Sequence, residues 1–409
     1  MIARTKMNKK LYADRLSDLV LNIGVSLKKG EYLNIVVSPD AYFYAQNMAI
    51  KAYEMGAKYV NIRVSDMLLD KERAYYQEGD DLSFIPDFMK EYVEEGKRVS
   101  IKNVRIECRD ERIDLPELDD EKYQTLSRAY RASQKSLSNL YMQNHIAWCV
   151  CCAPGPKWAK AVLGEDKTEE DLADILASIL HIDSPSYLEY WKDEDKKVNA
   201  RIERINCLGI KSLHFESGVT DFRVGFRKES KFEGCSSITT KGEVFYPNLP
   251  TIEIFNTPDK DTAEGYITTT RPVSVMGKDT ERVKLYFEKG KCVKAEAEVG
   301  QKTMDDYLKI DEGSSRLGEI ALVDDKSAIS QTGLVFGSIL IDENASCHIA
   351  LGSGYTSNLH IGNKDPKDFG CNESLVHTDF MVGSSDMKIT ALTYSGEEVL
   401  IMENGSFVF

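Results

Sequence analysis

The sequence predicts an α/β plus β-rich chain: an N-terminal open α/β layered domain with a parallel sheet over residues 1–205, then a mostly antiparallel β domain over residues 206–409 that carries a metal site. Three observations carry this reading. Strand-like and helix-like stretches alternate through the first two hundred residues. From about Leu208 helical periods nearly vanish, and short alternating segments separated by Gly, Asp and Asn take over. The 409 residues suffice for two or three domains and for a core that folds without disulfides.

Taken in order, residues 9–24 read as an amphipathic helix, because Tyr12, Leu16, Leu19, Val20 and Ile23 recur at helical spacing. After Gly30, residues 32–37 (YLNIVV) form a buried strand. Ser38-Pro39-Asp40 opens a helix over residues 41–55, which Gly56 ends, and residues 59–64 (YVNIRV) give the next strand. Strand, helix and strand in this order imply a parallel pair joined by a crossover. The pattern recurs with a strand at 100–108, a long helix at 119–140 and a strand at 145–152 (HIAWCVCC). Helices follow at 158–163, 168–180 and 187–205. No GxGxxG or GxxxxGK[ST] follows any of these strands, so no nucleotide cofactor is expected. The stretch Ala153-Pro154-Gly155-Pro156-Lys157-Trp158 reads as turn chemistry with proline in a first helical turn. Beyond residue 206 the strands are 213–218 (LHFESG), 221–226 (DFRVGF), 243–248 (EVFYPN), 282–300, 387–392 (MKITAL) and 397–409, with one helix at 302–308. EKGK and ENGS are hairpin turns with glycine at the bend.

Composition is that of an ordinary globular chain, with 42% hydrophobic and 29% charged residues. A net charge of −14 without a basic stripe argues against nucleic acid as a partner. Nine unpatterned cysteines suit a reducing cytoplasm, and Cys149, Cys151 and Cys152 read as small buried hydrophobes. The N-terminal stretch MIARTKMNKKLYADRL lacks the apolar core of a secretory signal, and no run of 18 apolar residues is present, so no membrane association is expected. His145 and His181 have no nearby ligand partner and read as structural or exposed.

The ligand-type residues fall in the β half. Glu253 lies among β-branched and apolar neighbours in TIEIF, and Glu319 leads into the apolar run EIALV. His348 sits in CHIALG, and His377 and Asp379 are two apart, hence on one face of a strand. Carboxylates and imidazoles together are what first-row divalent metals ask for, and a metal supplies a reason to bury them. Taken singly, a strand glutamate is ordinarily a paired or edge acid, and His-x-Asp is a weak motif. The case rests on the five residues together.

The segments IEIFNTPD (252–259), SRLGEIAL (315–322), LIDENASCHIALGSGY (340–355) and VHTDFMVGS (376–384), with APGPKWAKAV (153–162), closely resemble the thermophilic-type metallo-aminopeptidases over essentially the whole chain. The resemblance implies metal ligands at Glu253, Glu319, His348, His377 and Asp379, with a catalytic role for Tyr355. It also implies two divalent ions (zinc, cobalt, magnesium or manganese), with Glu319 as bridging carboxylate, peptide substrates with a free N-terminus, and a homodimer. A dipeptidase-like amide hydrolase and a metal-stabilised binding protein are the alternatives. Asp342 and Glu343 read equally as acids that orient His348 or as surface turn residues. One departure stands out: Ile252 occupies a position where the family has an acid, which touches how the substrate amine is held.

Overall fold

A computed structural model describes residues 5–115 and 121–409. The start of the 119–140 helix and the first four residues of the N-terminal stretch lie outside the described residues. The chain forms two compact units, residues 1–193 with 236–250 and residues 194–235 with 251–409. No helix among the described residues is long and apolar enough to cross a membrane.

The first unit is built on four parallel strands, β1 (Tyr32–Val37), β2 (Tyr59–Val64), β3 (Lys102–Glu107) and β4 (Trp148–Cys152), in the order β2-β1-β3-β4. The opening helix, Lys9–Leu19, starts where the Asn8 side chain accepts a hydrogen bond from the Leu11 amide at 2.9 Å, and it buries Tyr12, Leu16 and Leu19. Its continuation, Val20–Gly24, is wound as a π-turn, and it ends at Gly24, which approaches Cys149 so closely that an added Cβ would lie 2.8 Å from its sulfur. Cys149, Cys151 and Cys152 are all fully buried. Between β2 and β3 the structure holds two substantial helices the sequence reading passed over, Met67–Tyr76 and Asp87–Val99. The EVFYPN stretch contributes a two-residue ladder, Val244–Phe245 against Ser237–Ile238, and a parallel bridge from Asn248 to Val150 of β4.

The second unit is antiparallel. One sheet of eight strands uses β5 (Ile210–Ser217), β6 (Thr220–Gly225), β9 (Glu264–Thr268), β10 (Lys284–Glu288), β11 (Lys291–Glu296), β15 (Lys388–Thr393), β16 (Glu398–Glu403) and β17 (Ser406–Phe407), in the order β11-β10-β9-β6-β5-β15-β16-β17. Its hairpins turn at Lys289-Gly290 and Asn404-Gly405, each pair with positive φ, the mirror-image turn whose twist matches the strands. A second sheet of five strands runs β14 (His377–Met381), β13 (His348–Gly352), β12 (Leu317–Leu322), β8 (Ile254–Asn256) and β7 (Glu233–Gly234). Strands β12 and β13 are buried at every position, and this smaller sheet carries the site.

Candidate metal centre

Cross-strand register builds the centre. Ala350 of β13 pairs with Glu319 on one side and Asp379 on the other, so the two acids flank an alanine in one row. One row along, His348 lies between Ala321 and Met381, and in the opposite direction Gly352 faces His377. Phe255 of β8 pairs with Ala321, which puts Glu253, two residues earlier, on the same face. Ligand-type residues therefore alternate with Ala321, Ala350 and Gly352, where a methyl group or no side chain at all leaves the space above the sheet to carboxylates and imidazoles.

Two groups of donor atoms result, Glu253–Glu319–His348 and Glu319–His377–Asp379, each within 4.8 Å. Glu319 belongs to both. Its Oε1 lies 4.0 Å from His348 Nε2 and its Oε2 lies 3.3 Å from His377 Nε2. His348 Nε2 is 3.3 Å from Glu253 Oε2, and His377 Nε2 is 3.3 Å from Asp379 Oδ1. These contacts are ion-pair distances that miss hydrogen-bond geometry: Glu253 Oε2, His377 Nε2 and Asp379 Oδ1 are buried without a hydrogen-bond partner. Atoms of opposite character aimed past one another at a common point are what a cation would satisfy.

The opposite ring nitrogens are already committed. His377 Nδ1 lies 2.7 Å from the Ser353 carbonyl and His348 Nδ1 lies 3.3 Å from that of Ser346, so a proton on Nδ1 is held by the backbone and Nε2 is left for the centre. Without a metal the imidazoles themselves carry the balancing charge. Burial alone would lower their pKa values, but Glu253 pushes His348 up to about 10 and Asp379 pushes His377 up to about 11. Burial raises the Glu319 carboxyl. Asp379 is buried too, yet the His377 charge holds its carboxyl below the usual range.

Three supports were not legible as functional. Asn344 Oδ1 accepts the amides of Ile252 at 2.8 Å and Glu253 at 3.3 Å, fixing the backbone that presents Glu253. Thr257 Oγ1 accepts the Tyr355 amide at 3.1 Å and donates to the Tyr355 carbonyl at 2.7 Å. Asp311 accepts the Leu375 amide and the Ser374 hydroxyl, tying down the loop that enters β14. Tyr355 itself leans on the site, its ring 5.2 Å from that of His377 and 5.5 Å from that of Phe255. Burial, then the Glu319 charge, raises its phenol well above the ordinary value. Asp342 and Glu343 are both buried rather than surface turn residues. Burial raises the Glu343 carboxyl well above the usual range, with the charges of Glu253 and Asp379 adding to it. His145 and His181 lie elsewhere, the first 3.1 Å from Thr240 Oγ1 and the second stacked on Tyr190 at 3.6 Å.

A sheet that gathers buried carboxylates and imidazoles whose ligand atoms lack partners has the build of a metal-binding protein. The chain belongs to the family described as thermophilic metalloprotease (M29), whose model matches residues 9–407. It is 30% identical over 412 residues to aminopeptidase PepS of Streptococcus thermophilus, covering 98% of this chain and 99% of that one. It is also 30% identical to aminopeptidase T of Thermus aquaticus, covering 97% and 98%. The structure of wild-type AmpT from Thermus thermophilus superposes with a TM-score of 0.90 at 29% identity, covering 98% of this chain and all of that one.

Proposed function

We propose that the centre holds two divalent ions, one among Glu253, Glu319 and His348 and the other among Glu319, His377 and Asp379, and that with them the chain removes N-terminal residues from peptides. The chain is a metal-dependent aminopeptidase, a peptide-hydrolysing exopeptidase of its family. The observation that carries the two-ion reading is the split of Glu319, one oxygen turned to each donor group. Divalent ions bound in such a site polarise a carbonyl and acidify water.

The chain's own residues do the rest. Glu319 and Asp379 set the negative field of the site, and the backbone carbonyls of Ser346 and Ser353 hold the histidine tautomers. Tyr355 keeps its proton at neutral pH and is the donor for the oxygen that gains charge as the amide carbonyl becomes tetrahedral. The Thr257 clamp fixes its main chain, so the phenol needs little reordering to act. We place the catalytic domain at 206–409 and the α/β domain at 1–205. Zinc, cobalt, magnesium and manganese all suit the carboxylate and imidazole set. A homodimer working in the cytoplasm completes the reading.

The test is hydrolysis of aminoacyl-anilides beside N-acetylated controls, after chelation and after metal add-back. Metal-restored cleavage of the free-amine substrates alone is expected. Cleavage of the blocked substrates would replace the reading with another amide hydrolase, and cleavage of neither would leave a metal-stabilised binding protein.

A further inference from the structure

The parallel sheet of the first unit has an unusual face. Parallel sheets are covered on both sides and ordinarily present apolar side chains to each cover. Here one row across three strands is Asn61–Asn34–Asn103, bonded edge to edge through side-chain amides at 2.7 and 2.8 Å, with the Tyr92 hydroxyl donating to Asn34 at 2.8 Å. That row is internally satisfied. The next row on the same face, two residues along each strand, is Arg63–Val36–Arg105.

This second row is not satisfied. Arg63 Nε is buried without a hydrogen-bond partner, and among the described residues neither Arg63 nor Arg105 has an ion-pair partner. The Asp70 charge reaches Arg63 but makes no ion pair with it. The Arg63 guanidinium stacks on Tyr130, 4.9 Å from the ring centroid, which covers a face of the cation and leaves its in-plane N–H groups, the buried Nε among them, unused by the ring. Burial lowers the Arg63 pKa, and the like charge of Arg105 lowers it further. A cation taken out of water and set beside a second cation is costly unless an anion joins them.

The position in the fold agrees. The strand order β2-β1-β3-β4 reverses direction between β1 and β3, and the row lies one residue from the carboxyl ends of β1 and β2. Ligands of open α/β sheets bind outside the carboxyl ends of the strands where the order reverses. The two arginines start from strands either side of β1, roughly 10 Å apart at their backbones, a span that two arginine side chains close around one oxyanion.

We propose that Arg63 and Arg105 form an anion-binding site that takes a small oxyanion group, a carboxylate or a phosphoryl, between their guanidinium forks over the floor of Val36. Two arginines suit such a group because each fork offers parallel N–H donors to paired oxygens.

The experiment is calorimetric titration of the full-length, metal-loaded protein with inorganic phosphate, with an N-acetylated tripeptide free acid, and with the C-terminal amide of that peptide. Saturable binding of phosphate or of the free acid is expected, without binding of the amide. Phosphate alone identifies a phosphoryl ligand, and the free acid alone a carboxylate end. Arg63→Met and Arg105→Met should each weaken that binding at least tenfold. Arg105 is exposed, so its variant tests the site without threatening the fold. Arg63→Met should melt no lower than the parent in the absence of anion, since it removes a half-buried cation whose Nε has no partner. Absence of saturable binding by both anions, or binding that Arg105→Met leaves unchanged, overturns the proposal.

Discussion

Replacing Gly318 by alanine puts a methyl group where the site's geometry has no room. Gly318 is the extra residue of the bulge in β12, directly before Glu319. An added Cβ would lie 2.2 Å from the Ser353 carbonyl oxygen and 2.6 Å from that of Gly352, both backbone atoms that no rotamer change can move. Restoring van der Waals contact requires β12 and the start of the Ser353 loop to separate by roughly 1 Å, and a shift of that size at a reacting centre costs about a hundredfold in rate. Two things move together: the Glu319 carboxylate shared by both donor groups and the Ser353 carbonyl that holds His377 Nδ1. Overpacking of this kind also costs about 1–3 kcal/mol of stability. In a unit of this size that lowers Tm by about 2–12 °C. The assay is kcat/KM on an aminoacyl-anilide at saturating metal, with thermal melting alongside. Gly333→Ala is the control, because Gly333 has positive φ but open space around a Cβ. It should lose about 1 kcal/mol of stability with activity intact. Parental kcat/KM in Gly318→Ala, within threefold and with unchanged Tm, would refute the claim that the bulge sets the position of Glu319.

Tyr355→Phe should lower kcat by about 10²–10³ with KM and metal content little changed, as expected for a donor used chiefly in the transition state; an equal loss in bound metal would instead make the phenol a ligand. Metal binding should release protons at neutral pH, because the metal-free chain holds His348 and His377 protonated up to about 10 and 11. Affinity should therefore rise with pH across the neutral range, and binding heats that do not vary with the ionisation enthalpy of the buffer would contradict this. In the first unit, buried Lys102 joins Glu31 at 2.8 Å, Glu243 at 3.3 Å and the Ser26 carbonyl at 2.9 Å. Lys102→Met should cost about 2–3 kcal/mol by denaturant midpoint, at the low edge for a broken buried pair because both acids keep some exposure; a loss below 0.5 kcal/mol would show the pair to be superfluous.

The alternation of apolar residues reported the strands well where burial followed it. It located β1 and β2 to the residue and the hairpin turns at their glycines. It passed over the helix Met67–Tyr76 because that helix buries only Ala74 and leaves Leu68, Leu69, Tyr75 and Tyr76 exposed, so its apolar residues do not trace an inward stripe. The helix Asp87–Val99 fully buries only Val93 and Gly96, but Met89, Tyr92, Val93, Gly96 and Val99 do recur at helical spacing, a signal the sequence reading did not use. Within the site, the residue types were legible, but their meeting was not. Register between β12, β13 and β14 decides that Glu319 and Asp379 share a row through Ala350, and one slipped residue would turn either away from the other. Glu343 shows the same limit from another side. Its neighbours Asp342 and Asn344 read as turn composition, and only tertiary packing buries all three.

That packing also bears on Ile252, the residue directly before the candidate ligand Glu253. The side chain at 252 would matter doubly if Glu253 depended on it for its position. It does not, because Asn344 accepts both the Ile252 and Glu253 amides, and this clamp acts on main chain whatever side chain stands at 252. Glu253 can therefore hold its place in the centre while position 252 varies. The consequence of the isoleucine is one of charge, since its side chain brings none to this stretch. In that respect the site is not short of carboxylates, since Glu343, adjacent to the clamping Asn344, is buried within electrostatic reach of Glu253, Glu319 and Asp379. The side chain at 252 thus changes the charge of this stretch without governing the position of Glu253, which the Asn344 side chain holds through the main chain.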